Sequence, residues 1–145
     1  MVVNPSAELL DDFVRVAHRI VWCTLVTVDR RGRPRSRVVH PYWERDGDRI
    51  TGWVFSRPTP LKLAHLANHP YVSCSYWDPA HEIAVAECGA EWAPSDKDKV
   101  RALFGNAEPP LGYDADMLGP EDSYSVLKLT PWRLSTAKHS WQKEA

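Results

Sequence analysis

The chain has 145 residues, with 18 Lys and Arg against 19 Asp and Glu and a formal net charge of −1, so it has the length of one domain and no global field that would recruit nucleic acid or an anionic membrane. A chain of this length buries about two-thirds of its unfolded surface, enough to build its own core. Met1 to Asp12 contains no basic leader segment and no stretch approaches the ~20 apolar residues of a membrane span, so a cytoplasmic protein with no membrane partner is expected.

Ser6 precedes a helical pattern in which Leu9, Leu10, Phe13, Val14, Ala17 and Ile20 share one face, which predicts an amphipathic helix lying on an apolar surface. Trp22 to Val28 alternates and is rich in β-branched residues, and Asp29-Arg30-Arg31-Gly32-Arg33-Pro34 turns it into the next strand. Two further strand-like runs, Arg35 to Trp43 and Arg49 to Phe55, flank Asp46-Gly47, a strong hairpin signal. If these two runs pair across that turn, Arg35 and Arg37 lie on the strand next to the second run and point to one face.

The second run ends at Ser56, followed by Arg57, Pro58, Thr59 and Pro60 and a helical pattern of Leu61, Leu63, Ala64, Leu66 and Ala67 closed by Asn68 and Pro70. Thr59 is placed to cap this helix, with Pro60 at its first position. Free N–H groups and the positive end of the dipole then face whatever lies in front, with Arg57 and Lys62 adding charge and Ser56 and Thr59 adding hydroxyls. The stretch reads as an anion site.

Farther along, Tyr71 to Trp77 reads as a strand, Asp78 to His81 as a turn and Glu82 to Trp92 as a long strand with a bulge or bend at Gly89. Ser95 is placed to cap a helix through Val100, Leu103 and Phe104. The stretch from Gly105 to Ser123 holds three glycines and three prolines and is a long loop, of the kind that is either functional or mobile. Tyr124 to Thr130 gives another strand, continued past a kink by Pro131 to Ala137. The sum is a mainly β, α+β domain covering residues 1–145, a six- to seven-stranded antiparallel barrel, closed or half-closed so as to remove exposed edges.

Ordinary structural roles account for most of the chemistry-bearing residues. Cys23, Cys74 and Cys88 have no Cys-x-x-Cys spacing and are expected as buried free thiols. Arg30, Arg31 and Arg33 read as a solvated basic turn. His65 and His69 lack a third ligand and read as helix-end cations, so no metal site is expected. The seven tryptophans read as barrel core and dimer interface, with Trp77 or Trp132 as candidates for stacking on a planar ring. No carboxylate pair, nucleophile elbow or phosphate loop is present, and no catalytic acid or base is identified.

In order and spacing, Arg37-Val38-Val39, the strand end Phe55-Ser56, Lys62 and the exit Asn68-His69-Pro70-Tyr71-Val72 resemble the flavin-binding split β-barrel of the pyridoxamine 5′-phosphate oxidase-like proteins. The resemblance runs from about Val21 to Ala93 and extends toward Leu134. It implies a homodimer holding flavin mononucleotide (FMN) between subunits, with hydride transfer at the flavin ring. Arg37, Ser56 and Lys62 would contact the phosphate, Val38 and Val39 would lie along the ring and Phe55 would support it. Arg35, Arg57 and Thr59 are further cofactor-binding candidates by location.

The chain ends in Trp132-Arg133-Leu134-Ser135-Thr136-Ala137-Lys138-His139, without the substrate motif of the longer oxidases, so vitamin B6 oxidation is not implied. Leu61 stands where an arginine often precedes the helix lysine, a contact that Arg57 is placed to replace. The expected function is an oxidoreductase using FMN, or the deazaflavin coenzyme F420, on a small organic substrate. The alternatives are a flavin or haem carrier without turnover and an aromatic-lined barrel for single-stranded nucleic acid, the latter disfavoured by the near-neutral charge.

Overall fold

The computed structural model describes residues 3–58, 66–67 and 69–144. Helix α1 (Ala7–Ile20) begins where the Ser6 hydroxyl accepts the Leu9 N–H at 3.1 Å and ends at Val21, whose φ of 74° stops the turn. Eight strands follow: β1 (Cys23–Val28), β2 (Pro34–Val39), β3 (Tyr42–Asp46), β4 (Arg49–Ser56), β5 (Tyr71–Trp77), β6 (Ile83–Trp92), β7 (Ser125–Thr136) and β8 (Ser140–Gln142). Helix α2 (Lys97–Asn106) lies between β6 and β7.

All pairings are antiparallel, in the order β2-β1-β5-β6-β7-β4-β3. The 12-residue β7 is the branch point: its first half pairs with β4, its second half with β8, and β6 runs beside it on the other edge. β2 and β3 end the path without pairing to each other, so the sheet stays open as a split barrel. It has one or two strands more than the strand spacing predicts, because Arg35 to Trp43 is two strands and β8 is a further one.

That division corrects the expected hairpin. β2 pairs with β1, Arg37 opposite Leu25, while β3 pairs with β4 across the Gly47 turn, Tyr42 opposite Trp53. Pro41, lacking an N–H, interrupts the run between them. Arg35 and Arg37 are therefore not on the strand beside β4. Two smaller expectations also shift. The register break in β6 falls between Glu87 and Cys88, not at Gly89, because β7 carries the extra residue Trp132 beside Pro131. Ser95 does not cap α2; it sits within a 3₁₀ turn, Pro94–Asp96, and Asp96 precedes the helix without a side-chain cap.

The core lies between the inner face of the sheet and α1, which packs on β3, β5, β6 and β7. Phe13 meets the Trp43 ring edge-on at 5.0 Å, and Trp43 donates its indole N–H to the Tyr76 hydroxyl at 2.9 Å. Gly52 lies opposite Trp43, and a Cβ there would come within 2.6 Å of the indole. Cys23, Cys74 and Cys88 are buried free thiols, with burial raising the Cys88 pKa. A second cluster, Trp53, Ala93, Val100, Phe104 and Val126, fills the space under α2. Among the described residues, no helix is long and apolar enough to cross a membrane.

Candidate functional site

The sheet curls so that the ends of β2 and β4 approach from opposite halves of the strand order. Between them opens a cleft of about 700 Å³. Arg37, Val38, Val39 and His40 form one wall, and Val54, Phe55, Ser56 and Arg57 form the other. Trp22 stands at one rim, and the loop after α2 closes the far side with Pro110, Tyr113, Met117 and Leu118. The volume falls within the range of small-molecule sites, roughly 300–1,000 Å³.

Two of the lining side chains are cationic, Arg37 and Arg57, and none is acidic. Arg37 also borders a much smaller space inside the barrel, about 20 Å³, shared with Thr27, Ser56, Leu66 and Trp92. Its guanidinium makes no ion pair among the described residues. Burial, and secondarily the neighbouring Arg35, hold its pKa below the usual arginine value. A half-buried cation without a counter-ion is costly to keep charged, and an anion in the cleft would offset that cost. Thr27 Oγ1 and Trp92 Nε1, on the same inner space, are buried without a hydrogen-bond partner among the described residues.

The floor is aromatic. Phe55 lies 5.5 Å from Phe104 and 5.2 Å from Tyr124, and His40 is held between Trp22 at 4.9 Å and Tyr113 at 5.0 Å. Burial lowers the His40 pKa, opposed by the Leu111 backbone carbonyl, so its imidazole is neutral near pH 7. Its Nε2 is buried and unpartnered among the described residues. Behind it, His18 accepts the Trp43 N–H at 3.0 Å, and burial, with His40 as a lesser cause, pushes its pKa down to about 4. Arg101 ties the loop to this wall, donating to the Tyr124 hydroxyl and pairing with Asp116 at 2.7 Å.

Of the residues expected from sequence to bind a cofactor, Arg37, Val38, Val39, Phe55, Ser56 and Arg57 meet in this cleft. Arg35 does not line it; it is exposed on β2 and acts on the cleft through its charge beside Arg37. Thr59 and Lys62 lie outside the described residues, as do His65 and Asn68, and of the predicted helix Leu66 and Ala67 are described, both helical. Trp77, 62% exposed, and Trp132 do not line the cleft. Trp22, His40, Tyr113 and Met117 do, and sequence reasoning did not assign them. The length of the Gly105–Ser123 loop was the available signal for Tyr113 and Met117; nothing local marked Trp22 or His40. Among the described residues, no group of three or more His, Cys, Asp or Glu is placed to hold a metal.

No protein-family model matches the sequence, and no curated protein does. Solved structures match it in fold. A Clostridium acetobutylicum protein of the pyridoxinephosphate oxidase family, related to general stress protein 26, superposes with a TM-score of 0.70 at 13% identity, covering 94% of this chain and 96% of that one. A pyridoxamine 5′-phosphate oxidase-related, FMN-binding protein from Nostoc punctiforme gives 0.63 at 15% identity, with 92% and 84% covered. The heme storage protein of Vibrio cholerae gives 0.64 at 17% identity, with 97% and 96% covered. At such identities the likeness is one of fold, and in fold the chain is a split barrel of the pyridoxamine 5′-phosphate oxidase-like type.

Proposed function

We propose that the cleft binds FMN, with the deazaflavin coenzyme F420 as the alternative, and that the protein is an oxidoreductase moving hydride to or from a small organic substrate. The observation that carries this reading is Arg37: a half-buried cation without a counter-ion among the described residues, at the inner end of an aromatic cleft with no acidic lining. Its surroundings fit a phosphate-bearing planar aromatic, and a flavin-binding protein shares the fold.

When bound, the flavin supplies the hydride chemistry; the chain's residues bind, orient and shield it. Arg37 and Arg57 hold the phosphate, with Ser56 as a hydroxyl neighbour and Lys62 as the cation expected from the following helix. Phe55, backed by Phe104 and Tyr124, gives the ring an apolar support. Tyr113, Met117 and Leu118 exclude water from its outer side. His40, neutral near pH 7, presents a polar group without adding charge.

A second subunit completes this reading. The outer sheet surface exposes Trp22 (57%), Val38 (68%) and Trp77 (62%), with Ile83 opposite Trp77 and Tyr71 at the other end of β5, and a homodimer would cover these apolar side chains. Size-exclusion chromatography with light scattering measures the state; a monomer at micromolar concentration would remove the dimer from the proposal.

Haem carriage without turnover is the second reading, favoured by His40, the neutral imidazole of the cleft, and by the heme storage protein that shares the fold. The deciding experiment is parallel titration of purified protein with FMN and F420 by fluorescence quenching and with haem by visible absorbance. Saturable flavin binding weakened about 10- to 100-fold by Arg37→Met, the range set by a charged hydrogen bond, supports the first reading. Haem binding alone, with a spectrum altered by His40→Ala, supports the second. Binding of none rejects both.

A further inference from the structure

A second basic groove lies far from the cleft, at the opposite end of β4. Its volume is about 390 Å³. Arg49 at the start of β4, Lys128 on β7 and Lys143 just after β8 all line it, each from a different segment, together with the Thr51 and Thr130 hydroxyls. Ile50, near its rim, and Ser56, at the cleft, stand at the two ends of β4, about 20 Å apart at ~3.3 Å per residue.

None of these three cations forms an ion pair or side-chain hydrogen bond among the described residues, whereas most other basic side chains of the sheet surface and α1 are paired: Arg15 and Arg19 with Glu82, Arg33 with Asp29, Arg45 with Asp11, Arg133 with Glu87. One carboxylate lines the groove, Asp48, and it accepts from Asn4 Nδ2 at 2.6 Å. Glu91 stands across from Lys128 in the β6–β7 register without pairing to it. Three positive charges against one negative leave the groove with a net +2, equal to that of the cleft with its two cations and no acid. Pro5, Pro131 and Trp141 give it an apolar floor, and the Trp141 N–H is already spent on the Val3 carbonyl at 2.8 Å.

We propose that this groove is a second anion-binding site that takes a phosphate-bearing small molecule with a flat apolar body, the chemistry of a nucleoside diphosphate. The three cations, of which Lys128 also lies over the Trp53 ring at 5.9 Å, and the two hydroxyls recognise the phosphates. Proline and tryptophan surfaces accept the ring.

The test is calorimetric titration of the full chain with ADP, with adenosine and inorganic phosphate as separate arms. Saturable ADP binding that weakens at least tenfold in Lys128→Ala/Lys143→Ala, weakens with added salt and is unchanged in Arg37→Ala supports the groove. Binding lost in Arg37→Ala but kept in the double variant places the nucleotide in the cleft and overturns the proposal. Adenosine binding as well as ADP, or no saturation by millimolar ADP, overturns it too. If the double variant fails to fold, Lys143→Glu reads the same outcome, since it changes one side chain beyond the last strand. None of these results depends on whether the cleft takes a flavin.

Discussion

The Trp43 end of the barrel and the Arg37 cleft are built from neighbouring strands and differ in how far their polar groups are satisfied. Around Trp43 the indole N–H reaches Tyr76, the backbone N–H reaches His18, and Phe13 packs edge-on, so nothing is left for a ligand to do. In the cleft, Arg37 makes no ion pair and His40 Nε2 is orphaned, and in the small space behind Arg37 so are Thr27 Oγ1 and Trp92 Nε1, all among the described residues. The first region is organised for stability. The second retains unmet polar demand, the usual mark of a place where a partner completes the structure.

Substitutions at the two ends should therefore separate stability from binding. The largest effect is expected for Trp43→Ala, which removes a side chain only 1% exposed and the indole N–H that the Tyr76 hydroxyl accepts. It should cost about 3–5 kcal/mol in denaturant unfolding. Next comes acid. His18 is held neutral in the folded chain with a pKa of about 4, against 6.5 when unfolded. Below pH 6.5 the unfolded chain takes up the proton and the folded chain does not. Stability is thus full above that value and falls as pH drops toward 4, by about 3 kcal/mol in all. His18→Gln should flatten that part of the pH–stability curve; an unchanged slope would put the acid sensitivity elsewhere.

Gly52→Ala is smaller. Its methyl meets the Trp43 ring, and overpacking of this kind costs about 1–3 kcal/mol, read as a lower Tm. Smallest for folding is Arg37→Met, expected within about 0.5 kcal/mol of the parent or slightly above it, since it removes an uncompensated half-buried charge. The same variant should carry the largest loss of flavin affinity. A strongly destabilised Arg37→Met would mean that the cleft, too, is structural, and the contrast between the regions would collapse.

Most strands are legible because alternation and β-branched content are local: Tyr71 to Trp77 matches β5 to the residue, and the runs Tyr124 to Thr130 and Pro131 to Ala137 both fall on β7. The helix α1 face was equally plain. The pairing of Arg35 to Trp43 was not legible, because either half of that run suits a strand and only Pro41 marks the break. His40 and Trp22 carried no signal for the same reason: a ring's partners come from β1, β2, α2 and the long loop at once.

The sequence by itself determined the antiparallel, helix-flanked strands, since periodicity and turn residues are written along the chain, whereas the grouping of Arg37 with Phe55 and Ser56 followed from the resemblance to the split-barrel family. Tertiary structure alone decided that β2 and β4, which do not pair with each other in the sheet, face each other across one cleft. It also decided that Arg49, Lys128 and Lys143 share one groove. Both juxtapositions come from how the sheet curls and branches at β7, and curling is set by the packing of distant residues rather than by any local pattern.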